Sequence, residues 1–397
     1  MKILECGTVD LLEEGQISTE VDNIDLENKL ENDIIKPVKM ENGIVFCIND
    51  TFAGPCAATI QSVLDNTTYL NHDFEMVVLY SNLHVENQEL IKKTVGNRVN
   101  IRFFCVKEYS DKYKRFFHQK DHVTIETYIR LFIPLFFREY KKILWLDSDL
   151  IVNKDVNELF NINLTDNWLA AVQDPYIVTC AYSFRDSDEV KKVRNHLSND
   201  LKIKDFSAYF NAGVILFNIE QCLNDDVFYR ILNIIKKIPN LHYQDQDVLN
   251  YLCHGKHILW LSNYWNVAAN NELDWNRFNM FAKYKQLDYA QRAPYIYHFC
   301  GWCKPWDHPE IKNSNLFWKY CRKTAFYETM LLRISNGHVI PNNSSVVCNN
   351  SLNFADYYLI KKIKKFKILK YKVLNFFTMN QITKFKNRLN FYKELKL

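Results

Sequence analysis

An α/β fold built on a largely parallel sheet is what this sequence predicts, and three observations carry that prediction. Apolar runs of strand length, Ile44-Val45-Phe46-Cys47-Ile48, Met76–Tyr80 and Lys142–Leu146, lack the polar alternation of a one-sided sheet and fit strands buried on both faces. Segments with helical apolar spacing separate the strands, as in a sheet covered by helices. The chain is 48% hydrophobic and has only nine glycines and nine prolines, which excludes collagen-like and simple disordered classes.

Residues 1–42 form an acidic leader in which Ile24, Leu26, Leu30 and Ile34 make one short amphipathic stripe. The main body opens at Gly43. After the first strand and Asn49-Asp50, residues 57–64 read as a helix. Met76–Tyr80 is the second strand, 86–95 a helix, and Val99–Val106 a third strand. Thr124–Phe137 has helical periodicity, with Pro134 as a kink or break. Lys142–Leu146 is a strand leading into Asp147-Ser148-Asp149. Tyr209–Phe217 is strand-rich, 225–237 is helical, and Gln244–Leu252 starts another helix. His257–Leu261 and Tyr295–Phe299 are short strands. Residues 335–351 are polar and rich in Asn and Ser. The body is therefore placed at 43–330, a linker at 331–357 and a separate tail at 358–397.

Charge divides the chain in the same places. Residues 1–42 carry eleven acidic and four basic side chains, and 358–397 carry twelve basic and one acidic. With a formal net charge of +4, the body is near neutral. It offers no basic groove, so no nucleic-acid partner is expected. In the tail Ile360, Ile363, Phe366, Leu369, Val373 and Phe376 recur at spacings of three or four among lysines. That pattern fits an amphipathic helix on an anionic membrane surface, or a helix packed on the body with a lysine-rich solvated face. The eleven cysteines follow no regular framework and suggest a reducing compartment. Met1–Glu5 opens no apolar signal core. The expected location is cytoplasmic, peripheral to the inner face of the cell membrane.

Three constellations carry chemistry. Asp147 and Asp149 follow a buried strand, at the end where α/β sheets place ligands. Converging carboxylates repel, and a divalent cation with open positions for phosphate oxygens resolves the repulsion. Hard oxygen ligands suit Mg²⁺ or Mn²⁺. His298 lies in His298-Phe299-Cys300-Gly301-Trp302-Cys303-Lys304-Pro305-Trp306. As a nitrogen ligand it favours Mn²⁺; otherwise it is a core histidine. Gly301 lets backbone approach a phosphate, and Lys304 is either a diphosphate partner or a surface lysine. Cys300 and Cys303 have no second pair at zinc spacing. Tyr243-Gln244-Asp245-Gln246-Asp247 opens a helix. Asp245 can accept hydrogen bonds from sugar hydroxyls and Gln246 can sit beside a developing cation, or the acids cap the helix and serve its dipole, the reading that suits Asp247.

At these residues the chain resembles glycosyltransferase family 8, the retaining GT-A group that includes bacterial lipooligosaccharide galactosyl- and glucosyltransferases. The matching pieces are Ile44–Phe52, Thr127–Leu131, Leu144–Asp149, Tyr209–Gly213, Tyr243–Asp247 and His298–Trp306, in order over about 43–325. The resemblance implies a GT-A fold, a UDP-sugar donor and a metal-bridged diphosphate. It places Cys47, Asn49, Thr51 and Phe52 on the uridine stretch, Phe52 as the stacking ring. The family usually has Asp at the position of Asn49 and often Asn at that of Thr51. Arg130 falls where a basic residue reaches the donor. Asp147, Asp149 and His298 fall on the metal ligands, Ser148 between the first two. Asn211 and Ala212 line the donor sugar, Asp245 holds its hydroxyls, Gln246 sits at the reacting face, and Gly301 with Lys304 holds the diphosphate.

The resemblance also implies retention of configuration. Because Gln246 is a poor nucleophile, it implies front-face return, with the acceptor hydroxyl entering beside the leaving phosphate. The acceptor is expected to be a glycan or glycolipid, as in lipopolysaccharide, contacted by the variable segment 174–207. Self- or protein glycosylation and a metal-dependent nucleotidyltransferase are the alternatives. No Gly-x-x-x-x-Gly-Lys-Ser/Thr loop supports the last.

Overall fold

The computed structural model describes residues 34–335 apart from 39, 69–73, 114–124, 183–186, 239–240, 270–289, 291 and 302. The leader's stripe (except Ile34), most of the expected linker and the whole basic tail lie outside the described residues.

A seven-stranded sheet forms the centre. Its strands are β1 (Asn42–Ile48), β2 (Glu75–Tyr80), β3 (Ile101–Cys105), β4 (Lys142–Leu146), β6 (Leu169–Gln173), β7 (Phe210–Asn218) and β8 (Ile258–Trp260), in the spatial order β3-β2-β1-β4-β7-β6-β8. All neighbours pair in parallel except β7, which runs antiparallel to both β4 and β6. The expected largely parallel sheet is thus present with one reversed strand. Along β1 and β4 successive side chains enter two different cores: Val45, Ile143 and Trp145 on one face, Ile44, Phe46, Leu144 and Leu146 on the other. Burial of both faces explains why these strands read as unbroken apolar runs.

Helices cover both faces. α1 (Ala53–Asn66) is buried almost all round, and α2 (Val85–Val95) follows β2. Along Thr124–Phe137 the structure departs from the expected helix. A 3-10 helix spans Ile125–Phe132, and a single α-turn, α3 (Ile133–Phe136), follows with Pro134 in its first turn. Proline starts this α-turn, where its missing N–H costs nothing, and does not kink a longer helix. Helices α4 (Pro175–Tyr182) and α5 (Asp188–Asn195), and β6, were not anticipated. The segment after β7 makes α6 (Ile219–Asn224) and α7 (Val227–Lys237), and α8 is Gln244–Cys253. The last described helices are α9 (Ser314–Cys321) and α10 (Tyr327–Ser335). α10 therefore reaches five residues into the stretch read as linker.

A second, three-stranded sheet builds one wall of the site. β5 (Leu150–Val152) pairs antiparallel with β10 (Ile296–His298), and β10 pairs parallel with β9 (Val267–Ala268). This register sets His298 opposite Leu150 and beside Ala268. Residues about 150 positions apart in sequence are thereby joined at the end of β4.

Candidate functional site

A cleft of about 180 Å³ opens at the carboxyl ends of β1 and β4, bordered by Cys47, Asn49, Phe52, Arg130, Asp147, Asp149 and Lys304. Asp147 continues β4 and is held by its N–H to the Gly213 carbonyl at 2.9 Å. Ser148 and Asp149 form a turn rather than extended chain, and β5 starts at once. The Phe299 N–H donates to the Asp149 carbonyl at 3.0 Å, tying the turn to the end of β10.

His298 Nε2 lies 3.2 Å from Asp149 Oδ1 and 3.8 Å from Asp147 Oδ2. An octahedral ion with bonds of about 2.1 Å spaces adjacent ligand atoms about 3.0 Å apart, so these three atoms fit one cation. Two further observations support the fit. Asp149 Oδ1 is buried and has no hydrogen-bond partner, a state that bound cation would relieve. His298 Nδ1 faces Asn266 Oδ1 at 3.0 Å. The Asn266 amide is oriented by its own donation to Asn211 Oδ1 at 2.8 Å, so Nδ1 is the donor and the Nε2 lone pair points at the carboxylates. Burial alone would raise the Asp149 pKa, but the charges of Lys304 and His298 hold it well below the usual carboxylate range. Burial works to lower the His298 pKa, while Cys300 and Asp149 raise it well above its ordinary value. Proton and cation thus compete for Nε2.

Lys304 Nζ donates to Asp149 Oδ2 at 2.5 Å and to the Phe299 carbonyl at 2.7 Å. Gly301 has a φ of +79° with open space where a Cβ would stand; its conformation, not crowding, calls for glycine. Cys303 is disulfide-bonded, so Cys300-x-x-Cys303 is not a dithiol.

Arg130 is buried and joins three parts of the site. Its Nη2 meets Asp147 Oδ1 at 3.0 Å, its Nε meets Asp245 Oδ2 at 2.6 Å, and its Nη1 donates to the Ala212 carbonyl. Its plane also lies over the Trp145 ring at 4.9 Å. Asp245 is almost wholly buried, and burial raises its pKa to about 7 against the pull of Arg130. Gln246 is held from three sides. Its Oε1 accepts from the Ala212 N–H at 2.9 Å, and its Nε2 donates to Asp174 Oδ2 at 3.2 Å and to the Tyr209 hydroxyl at 3.3 Å. A register shift between β6 and β7, where Val172 pairs with Asn211 but Ala171 with Ile215, frees the Ala212 N–H for this bond.

Every sequence-predicted site residue falls in or beside this region. Thr51 is exposed, and its N–H caps onto Asn49 Oδ1 at 3.1 Å. Phe52 and Trp306 meet edge to face with ring centroids 5.8 Å apart. Asp247 does cap its helix, through the Tyr243 N–H at 2.8 Å, but it also accepts from the Tyr209 hydroxyl at 2.7 Å and meets His196 at 2.8 Å. The sequence reading missed Asp174 and Asn266. Asp174 caps α4 through the N–H groups of Tyr176 and Ile177, and its other oxygen receives Asn211 and Gln246. Asp174 at the end of an apolar run, Leu169–Val172, was the available signal; Asn266 left none.

Residues 43–309 match the family model described as glycosyl transferase family 8. The chain is similar to the glycosyltransferase GlyF of Streptococcus pneumoniae serotype 4, 25% identical over 309 residues covering 77% of this chain and 67% of the relative. It is also similar to general stress protein A of Bacillus subtilis, 23% identical over 66% of this chain and 87% of the relative. Among solved structures, the bifunctional glycosyltransferase WbbM superposes with a TM-score of 0.64 and 25% identity, covering 76% of this chain and 53% of WbbM. The galactosyltransferase LgtC, solved in complex with donor and acceptor sugar analogues, superposes with a TM-score of 0.58 and 23% identity over 71% of this chain and 96% of LgtC. This second likeness concerns the fold.

Proposed function

The chain belongs to glycosyl transferase family 8, and from that premise we propose that it moves a hexose, galactose or glucose, from a UDP-sugar to a hydroxyl of a glycan acceptor with retention of configuration. The observation that carries the reading is the meeting of Asp147, Asp149 and the lone pair of His298 beside Lys304 at the mouth of the cleft. Asp147, Asp149 and His298 would hold Mn²⁺, or Mg²⁺, which when bound supplies a Lewis acid for the diphosphate leaving group.

The chain's own residues supply the rest. Cys47, Asn49 and Phe52 border the cleft on the side proposed for uridine. Lys304, now against Asp149, exchanges that carboxylate for a phosphate oxygen when the donor arrives and neutralises developing charge. Arg130 keeps Asp147 and Asp245 at fixed separation. Asp245 and Asn211 orient the sugar hydroxyls. Gln246 cannot turn freely, because Ala212, Asp174 and Tyr209 hold its amide. It therefore offers a fixed dipole to the oxocarbenium-like carbon rather than a nucleophile. Front-face return fits that role, with the phosphate oxygen taking the acceptor's proton.

The acceptor is proposed to be a glycan of a cell-surface glycoconjugate such as lipopolysaccharide, received near 174–207, with the tail at 358–397 resting on an anionic membrane. Among the described residues no helix is long and apolar enough to cross a membrane.

Incubation with a panel of UDP-sugars and Mn²⁺, followed by detection of released UDP, tests the reading. UDP release that chelation stops and Asp149→Ala abolishes is expected. Gln246→Ala should bind donor yet turn over more slowly, on the order of a hundredfold. Pyrophosphate in place of UDP, or full turnover by Gln246→Ala, would count against the assignment.

A further inference from the structure

We propose a second divalent-metal site, suited to Zn²⁺, formed by His196, Asp200 and His242 on the other side of Asp247 from Gln246. His196 and Asp200 face each other across a single turn after α5, with Nδ1 and Oδ2 2.8 Å apart. One donor atom from each of the three residues lies within 4.8 Å of the others.

The buried carboxylate behind His196 decides what its ring offers. Asp247 is fully buried. Its Oδ1 accepts from the Tyr209 hydroxyl, and its Oδ2 accepts from the Tyr243 N–H while lying 2.8 Å from His196 Nε2. A carboxylate oxygen only accepts, so the hydrogen of this contact lies on Nε2. Nδ1 is then the lone-pair nitrogen, aimed at the Asp200 carboxylate. At 2.8 Å that pair shares a proton; a four-coordinate ion that replaces the proton holds Nδ1 and Oδ2 about 3.3 Å apart, an opening of about half an ångström. Carboxylate, histidine and metal in series is the arrangement that fixes tautomer and basicity in zinc sites. Two nitrogens and one oxygen suit four-coordinate zinc with water in the last position. The His242 ring is exposed and stacks parallel to His196, with centroids 4.2 Å apart and planes 20° apart. To ligate the ion, His242 must leave this stack and turn a ring lone pair toward it.

The site is linked to Gln246 through Asp247 and Tyr209. Asp247 holds the Tyr209 hydroxyl, and that hydroxyl accepts from Gln246 Nε2. An ion on His196 therefore stiffens the wall behind Gln246. The metal site itself does not depend on the transferase reading.

The full-length chain carrying Asp147→Ala and Asp149→Ala, which removes the cleft carboxylates, is titrated with Zn²⁺ by calorimetry and with Co²⁺ by visible absorption at mildly alkaline pH. One bound equivalent is expected, with the intense visible bands of four-coordinate Co²⁺. Adding His242→Ala should weaken binding at least tenfold with the circular dichroism unchanged, since the ring is exposed. In the unmodified chain the same His242→Ala change should lower the zinc stoichiometry by one. A cluster held by a proton alone gives no saturable equivalent, or one that His242→Ala and Asp200→Asn leave intact; either result overturns the proposal.

Discussion

Single atoms set the behaviour of the cleft. A Cβ on Gly213 would lie 2.3 Å from His298 Cε1 and 2.7 Å from Nδ1. Gly213→Ala must therefore push the imidazole off Asn266 and away from Asp149. Mn²⁺ affinity should fall about tenfold or more in a chain that still folds, measured by calorimetry; unchanged affinity would remove His298 from the ligand set. Asp245 makes a prediction in pH. Its folded pKa is raised to about 7, chiefly by burial, against about 3.9 for an unfolded aspartate. Between these values the folded chain keeps a proton that the unfolded chain has lost. The group's contribution is complete below about 3.9 and is lost as pH rises to about 7. The urea midpoint should decline over that range, and Asp245→Asn should flatten the decline. The proposed ligands were legible because Asp147 and Asp149 follow an apolar strand and the family resemblance joins His298 to them. Asn266 and Asp174 were not, since their meaning lies only in what they orient.

At the scale of elements, α10 reaches back to the turn proposed to bind the base. Arg333 forks onto Asp307 at 2.7 and 2.9 Å and donates to the Thr51 carbonyl at 3.1 Å. Asp50–Phe52 is a 3-10 turn with no buried residue of its own, so this tether and the Phe52–Trp306 contact give it support. Arg333→Met keeps the aliphatic stem but removes the fork. Donor KM should rise about tenfold, equivalent to about 1.4 kcal/mol, with kcat little changed. An equal fall in kcat would place Arg333 nearer the chemistry than the turn. Periodicity could not reveal this tether, because it joins a helix to a backbone carbonyl 282 positions away. The same limit hid the reversal of β7. Its apolar run shows burial on both faces, and direction leaves no mark on composition. Pro134 misled for a different reason: a proline inside an apolar period marks a start as readily as a break.

The whole molecule joins a near-neutral body to an acidic leader and a basic tail. Burial on both faces of a seven-stranded sheet gives the body its own core. Lysines spaced among Ile360, Ile363, Phe366 and Leu369 match a surface that is anionic outside and apolar within. Each cation near such a surface contributes about 1 kcal/mol, screened over about 8 Å at physiological salt. The full chain should sediment with vesicles containing phosphatidylserine, stay in solution with neutral vesicles, and be released as salt rises. Exchanging Lys361, Lys362, Lys364 and Lys365 for Gln should abolish sedimentation while leaving UDP release from a soluble donor intact. If the exchanged chain sediments like the original, the apolar stripe packs against protein and the lysines merely solvate its outer face. Loss of UDP release together with sedimentation would mean that the tail supports the cleft itself, and membrane attachment could not then be separated from catalysis.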